Sequence, residues 1–267
     1  MKDPGALTFP LINLSFPLKY FPRHLVVVFV VCLRASLSPR CTRNLQSAYQ
    51  KSSLPASTSP RKILRPSTAK SASEISLHHL PGAVVLVARN GGVVWRKPYG
   101  DRAVEPKPEA MTVDTIFDVA SLTKVVATAT SIMILVERGK VRLSDPLSTY
   151  IPEIKGDGRE RITIELLLTH RAGYAPDFDL KERWSGYDEA VKRLVREPLR
   201  NPPGAKFVYS DINYIALGEV VHRASGLTLD EFARRNIFVP LGMLDTGFRP
   251  HASLRERIAP TESAAGN

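Results

Sequence analysis

From Ala120 to Val136 the chain reads Ala-Ser-Leu-Thr-Lys-Val-Val-Ala-Thr-Ala-Thr-Ser-Ile-Met-Ile-Leu-Val, with no glycine or proline to break a helix. A helix that is apolar almost all round is predicted to be buried inside a sizeable protein rather than to lie on its surface. Two polar groups open the run, Ser121 and Lys124, three residues apart. On a helix that spacing places hydroxyl and amine on one face, a turn apart. Ser121 is also predicted to sit among unpaired backbone N–H groups at the positive end of the macrodipole.

A serine hydroxyl is a poor nucleophile until a base takes its proton. A lysine in apolar surroundings is pushed toward its neutral form and can be that base. The pair therefore points to covalent acyl transfer. The structural alternative is that Ser121 caps the helix while Lys124 reaches to solvent. Ser59–Lys62 and Ser67–Lys70 also fit Ser-x-x-Lys, but both lie in a Pro/Ser/basic stretch with no helix to orient them. Only the copy at the mouth of the long helix has the context that a mechanism needs.

The formal net charge of +11 suggests nucleic acid until it is located. Residues 1–80 hold eleven Lys and Arg against Asp3 and Glu74, and the other 26 basic side chains are nearly matched by 24 acidic ones. The basicity belongs to a tail, and nucleic acid is not an expected partner. Both cysteines, Cys32 and Cys41, lie in that tail, so the body carries no disulfide framework and no zinc-type cluster. No metal or cofactor is expected.

Lys19 and Arg23 precede the apolar run Leu25 to Leu33, which is too short to span a bilayer but suits the core of an export signal. Residues 1–35 are read as a signal or anchor, with export to the periplasm or membrane expected. The alternative is a mis-assigned start and a cytoplasmic protein. Residues 36–79, rich in Ser, Pro, Lys and Arg, are read as a disordered linker, and a folded domain is placed at 80–267.

Ala83–Arg89 and Val93–Arg96 are strand-like runs around Asn90-Gly91-Gly92, a strong hairpin signal. Gly139 is expected to end the Ser121 helix, and Ser144-Asp145-Pro146 to start a helical turn. Thr163 is expected to cap a short helix over Ile164–Leu168. Tyr187, Ala190, Val191, Leu194 and Val195 form an amphipathic stripe. A helix over Ile212–Ala224 is stopped by Gly226, and Thr228-x-x-Glu231 reads as a capping box. A lone two-stranded hairpin needs further strands or helix packing to be stable. The remaining strands of its sheet are not evident before Asn267.

Tyr209 and Asp211 lie on a segment entering the helix that begins near Ile212. Tyr209 is either a core ring with its hydroxyl satisfied or a second proton-handling group. Asp211 has a structural reading as an N-cap. At this point the order of motifs resembles a known family. Phe117-Asp-Val-Ala-Ser121-Leu-Thr-Lys124 is followed by Asp145-Pro-Leu-x-x-Tyr-Ile-Pro and Leu167-Leu-Thr-His-Arg-Ala-Gly173. Then come Pro203-Gly-x-x-Phe-x-Tyr209-Ser, Leu217-Gly-Glu and Pro240-Leu-Gly-Met-x-Asp-Thr-Gly-Phe.

This series is similar to the serine beta-lactamase-related family, which includes class C beta-lactamases, penicillin-binding proteins, D-aminopeptidases and beta-lactamase-fold esterases. The resemblance implies an α+β fold, an antiparallel sheet flanked by helices. It implies a serine hydrolase forming an acyl-enzyme with an ester, an amide or a peptidoglycan-type D-amino-acid peptide. Ser121 would be the acylated nucleophile, Lys124 its base partner and Tyr209 the proton shuttle. The Ser121 N–H would be one arm of the oxyanion hole, and His170 and Gly173 would be structural. Small-molecule or peptide substrates, peptidoglycan among them, are the implied partners, with a membrane met only through an N-terminal anchor.

Two departures qualify the resemblance. Where the family usually has Tyr-x-Asn, this chain has Tyr209-Ser210-Asp211, so that Asp211 takes the substrate-contacting position. A carboxylate facing Lys124 favours the charged amine and shifts the base role toward Tyr209. The family's third motif, Lys-Thr-Gly or His-x-Gly, is not found after Pro260, and the chain is expected to be an N-terminal portion, inactive by itself. The alternative to an enzyme is a degenerate penicillin-binding-like module that binds cell-wall peptide or a partner without turnover. Asp245-Thr246-Gly247 also matches the aspartic protease triplet, but those enzymes need two such carboxylates and only one copy is present.

Overall fold

The structure is a computed structural model and describes residues 29–30, 73, 75–77, 80–89, 92–179 and 184–260. Apart from Phe29–Val30, the expected signal segment lies outside the described residues, as does most of the expected linker. Near the end of that stretch the Leu77 N–H donates to the Ser73 carbonyl at 3.0 Å. Among the described residues no helix is long and apolar enough to cross a membrane.

The chain divides into two compact units, Met1–Asp118 with Glu256–Asn267, and Val119–Arg255. In the first unit the β-branched runs make the expected antiparallel hairpin. Strand β1 (Phe29–Val30) pairs parallel with β2 (Gly82–Arg89), β2 pairs antiparallel with β3 (Gly92–Ala103), and β3 pairs antiparallel with β4 (Glu109–Ala110). Strand β3 runs beyond the predicted Arg96, through Pro98, which pairs with Val84. The same unit is closed by Ile116, whose N–H donates to Arg257 O at 2.8 Å and whose carbonyl accepts from Ala259 N at 2.9 Å.

The second unit is helical. A π-helical segment, Lys124–Ala129, leads into α1 (Thr130–Glu137), which ends before Gly139 as expected. Helix α2 (Ile164–Leu168) is capped by Thr163, whose hydroxyl accepts from Leu166 N at 3.2 Å. Helix α3 (Tyr187–Arg196) follows the amphipathic stripe, and α4 (Asp211–Ser225) stops at Gly226, which is left-handed at φ 75°. Helix α5 (Leu229–Ala233) has Thr228 at its N-cap without a capping bond, so the capping box does not form. The Thr228 hydroxyl instead serves the Asp230 carboxylate and holds it below the usual range.

Helix α4 is the hub of this unit: α1, α2, α3 and α5 all pack against it. Ile132, Leu135, Leu167, Leu194, Ile212, Leu217, Val220 and Phe232 share one buried cluster around it. This burial is the main stabilising term available to the unit. The expectation that the Ser121 helix is buried on all sides does not hold. Ala127, Ile132 and Leu135 are buried, whereas Val125 and Met133 are 56% and 48% exposed. Apolar composition on every face gives no preference for which side packs, and only one side meets α4 and α5.

Gly173 fixes the turn after α2 in place. Its φ is +99°, and a Cβ there would lie 2.2 Å from the Asn201 carbonyl oxygen. Gly173→Ala is therefore expected to lower unfolding free energy by about 2–4 kcal/mol, from backbone strain and overpacking together. Urea denaturation of the two proteins side by side checks this, an unchanged midpoint being the contrary result.

Candidate active site

The chain around Ser121 does not enter a regular helix directly. Ala120 is left-handed at φ 43°, a conformation that costs a non-glycine residue roughly 1–2 kcal/mol. A tight turn follows, with Leu122 N donating to Val119 O at 2.9 Å, Thr123 N to Ala120 O at 3.0 Å and Lys124 N to Ser121 O at 3.1 Å. The N–H groups immediately after Ser121 are thus committed rather than unpaired, as sequence periodicity had suggested. The π-helical turn then carries Lys124, and such turns recur at functional positions because they re-aim side chains.

Within this geometry the Lys124 amine donates to Ser121 Oγ at 3.1 Å and lies 2.6 Å from Asp211 Oδ1. The Lys124 side chain is only 13% exposed, against 47% for Asp211. The amine also sits 5.0 Å from the centre of the Tyr209 ring and 6.0 Å from that of Tyr214. Burial works to lower the Lys124 pKa, but hydrogen bonds to Asp211 and Tyr209 and the charge of Asp211 outweigh it. The amine is held above its ordinary value. A neutral Lys124, which the spacing argument assumed, is therefore not its resting state. The carboxylate expected to favour the charged form stands in contact with it.

Asp211 is not the N-cap of α4. Ser210 occupies that position, extended at φ −143°, and Asp211 is the first helical residue with its carboxylate turned to Lys124. Tyr214, one helical turn further along the same face, was not singled out from the sequence, although its i, i+3 spacing from Asp211 was available. Its hydroxyl donates to Leu168 O at 3.2 Å, tying α4 to α2 beside the lysine. Burial raises the Tyr214 phenol, so it stays protonated.

A cleft of about 860 Å³ runs from Ser121, Lys124 and Asp211 along one side of α4. Its far end carries Tyr187, Glu219 and His222, none of which the sequence marks as a candidate site residue. The Tyr187 hydroxyl donates to Glu219 and lies 2.7 Å from His222 Nδ1. Burial and the Glu219 carboxylate push the Tyr187 phenol well up. Glu219 also accepts from Arg223 Nε at 2.6 Å, so this group is a satisfied network. Among the described residues no set of three His, Cys, Asp or Glu side chains is placed to hold a metal.

The model of the beta-lactamase family matches residues 67–267. The chain belongs to the beta-lactamase family. Within it, the chain is 31% identical to an N-acetylmuramyl-L-alanine amidase of Bacillus subtilis over 204 residues, 69% of this chain and 46% of the amidase. It is 29% identical over 204 residues to a provisional D-alanyl-D-alanine carboxypeptidase of Salmonella agona, with the same 69% and 46% shares. The chain thus spans about half the length of the curated relatives it matches.

Solved structures of the family superpose on it. One is a class C beta-lactamase from Rhodobacter sphaeroides, at 26% identity and a TM-score of 0.61, covering 72% of this chain and 53% of that one. Another is EstCE1, a hydrolase with promiscuous acyltransferase activity, at 25% identity and a TM-score of 0.65, covering 74% and 56%. The α+β architecture expected from the motif order is that of the beta-lactamase family, and the family match begins inside the stretch read as linker.

Proposed function

We propose that this chain carries the acylating centre of a serine hydrolase that works through an acyl-enzyme. The single observation behind this reading is the contact of the Lys124 amine with Ser121 Oγ at 3.1 Å, on an amine that Asp211 and Tyr209 also hold. In this reading Ser121 Oγ attacks the acyl carbon and the Ser121 N–H meets the oxygen that gains charge. The serine proton passes into the Lys124–Tyr209 pair, which returns it to the leaving group. Water then enters by the reverse route and releases the acid.

Because the resting Lys124 is charged, the free amine that accepts the serine proton is its minor form at neutral pH, and Tyr209 relays that proton to the leaving group. The substrate class proposed is an acyl compound cleaved at an ester, an amide or a D-amino-acid peptide bond of the peptidoglycan type. Kinship with an amidase and a carboxypeptidase supports the peptide, and kinship with EstCE1 supports the ester.

A second reading has its own observation. The same Lys124–Asp211 pair that holds the amine charged suits a module that binds cell-wall peptide or a partner without turnover. A fluorophosphonate probe separates the two. Covalent labelling, with the adduct mapped by mass spectrometry to Ser121, is the expected result. Absence of labelling together with saturable binding of a muropeptide favours the module.

A further inference from the structure

His170 was read as structural, and its surroundings assign it a more specific task. It follows α2 in a left-handed conformation, φ 57°, which only a few non-glycine residue types tolerate. From there it holds the backbone on both sides of Tyr209. Its carbonyl accepts from Val208 N at 2.9 Å, and its ring Nδ1 accepts from Ser210 N at 3.1 Å. Asn213 Nδ2 lies 3.4 Å from the same Nδ1. A backbone N–H can only donate, so Nδ1 is an acceptor and the neutral ring carries its hydrogen on Nε2.

The imidazole also supports the phenol directly. Its ring centre lies 4.5 Å from that of Tyr209 and 5.1 Å from that of Tyr214. Phe207 meets it edge-on at 5.9 Å. Burial first, then the positive Lys124, hold the ring below the ordinary histidine range, against an opposing pull from Asp211. The groups facing it, Lys124, Asp211, Tyr209 and Tyr214, therefore leave it neutral, the form its backbone bond requires.

We propose that His170 is the positioning residue for Tyr209, fixing the phenol over the Lys124 amine by bonding Val208 and Ser210 and by backing the Tyr209 ring. A role limited to folding would spread its effect over α2. This role acts through one side chain 39 positions away in the chain. The inference rests on the acyl-enzyme reading for its kinetic consequence, but the backbone bonds are independent of it.

Two substitutions suit a left-handed position. His170→Gly removes ring and acceptor, while His170→Asn keeps an acceptor oxygen in the δ position and loses only the ring. His170→Gly is expected to slow acylation of Ser121 by a fluorophosphonate about 100-fold, the scale of a misplaced catalytic group. In a Tyr209→Phe background the same change is expected to cost less than about 3-fold, because its target is already gone. His170→Asn is expected to recover most of the loss. Losses that multiply in the double variant, or an unchanged rate in His170→Gly, would overturn the proposal.

Hydrogen exchange supplies a reading that needs no chemistry at Ser121. The Ser210 amide is expected to lose protection in His170→Gly and to keep it in His170→Asn, with amides of α4 beyond its first turn unchanged. A Ser210 amide that stays protected in His170→Gly overturns the proposal even if labelling fails. Labelling that is absent from the parent protein while the Ser210 amide behaves as expected sinks the acyl-enzyme reading alone.

Discussion

Ser121→Ala is expected to abolish covalent labelling and to lower any acyl transfer by on the order of 10⁶-fold, the loss that follows removal of a covalent nucleophile. The size of the effect follows from the chemistry: the oxygen that takes the acyl group is itself removed. Ser121 is exposed and its hydroxyl accepts only one described bond, from Lys124. The substitution should therefore leave unfolding free energy within about 0.5 kcal/mol of the parent. Rate and stability thus separate cleanly. Labelling that survives in Ser121→Ala, on Ser59, Ser67 or any other serine, would show that Ser-x-x-Lys at the helix mouth is not the reactive copy.

How much of this molecule can be read before folding depends on how local each signal is. Thr163 and Gly226 act within one turn of their own helices, and both stand where the sequence places them. The Asn90-Gly91 signal between β-branched runs likewise suffices for the β2–β3 hairpin, because register there is a matter of neighbours. Strand β3 outruns its predicted end at Arg96 and passes through Pro98, since a proline is tolerated wherever its missing N–H is not asked of the ladder. Thr228 misleads. The capping pattern is present, but a nearer carboxylate, Asp230, takes the hydroxyl.

The candidate site divides along the same line. Ser121 and Lys124 are three apart, and spacing alone brings them together. Tyr209 and Asp211 reach them only because α4 packs across α1, a contact that no periodicity encodes, and motif order was the sole guide. Asp211 had two readings from sequence, cap or lysine partner, and the distance of 2.6 Å to Lys124 distinguishes them. His170 gave no local hint of its bonds to Val208 and Ser210, since its task exists only once the turn after α2 meets the segment before α4. The exposed faces of Val125 and Met133 were equally hidden, because uniform apolarity does not say which side packs.

The second large effect concerns the charge on Lys124, and it has a sign that can be worked out. Lys124→Ala is expected to slow acylation by on the order of 10³–10⁴-fold, from loss of a group that handles protons and stabilises charge beside the nucleophile. Asp211→Asn is expected to do the reverse at neutral pH. Burial acts on Lys124 to favour the free amine, and Asp211 is the first of the partners that oppose it. Removing the carboxylate leaves burial to pull the pKa down, so a larger fraction of the amine is neutral at pH 7.

Each unit of that fall gives about tenfold more free base. The alkaline limb of the acylation rate should accordingly move to lower pH in Asp211→Asn, and the rate at pH 7 should rise. The measurement is the rate of fluorophosphonate labelling from pH 6 to pH 10 in the parent, Asp211→Asn and Lys124→Ala. An Asp211→Asn protein whose limb stays in place would mean that Lys124 is not the group whose deprotonation limits the step. A limb that survives in Lys124→Ala would assign it to Tyr209 alone. The two variants bracket the same amine from opposite directions, so a common fall in both would instead identify the Lys124–Asp211 ion pair itself as what the reaction needs.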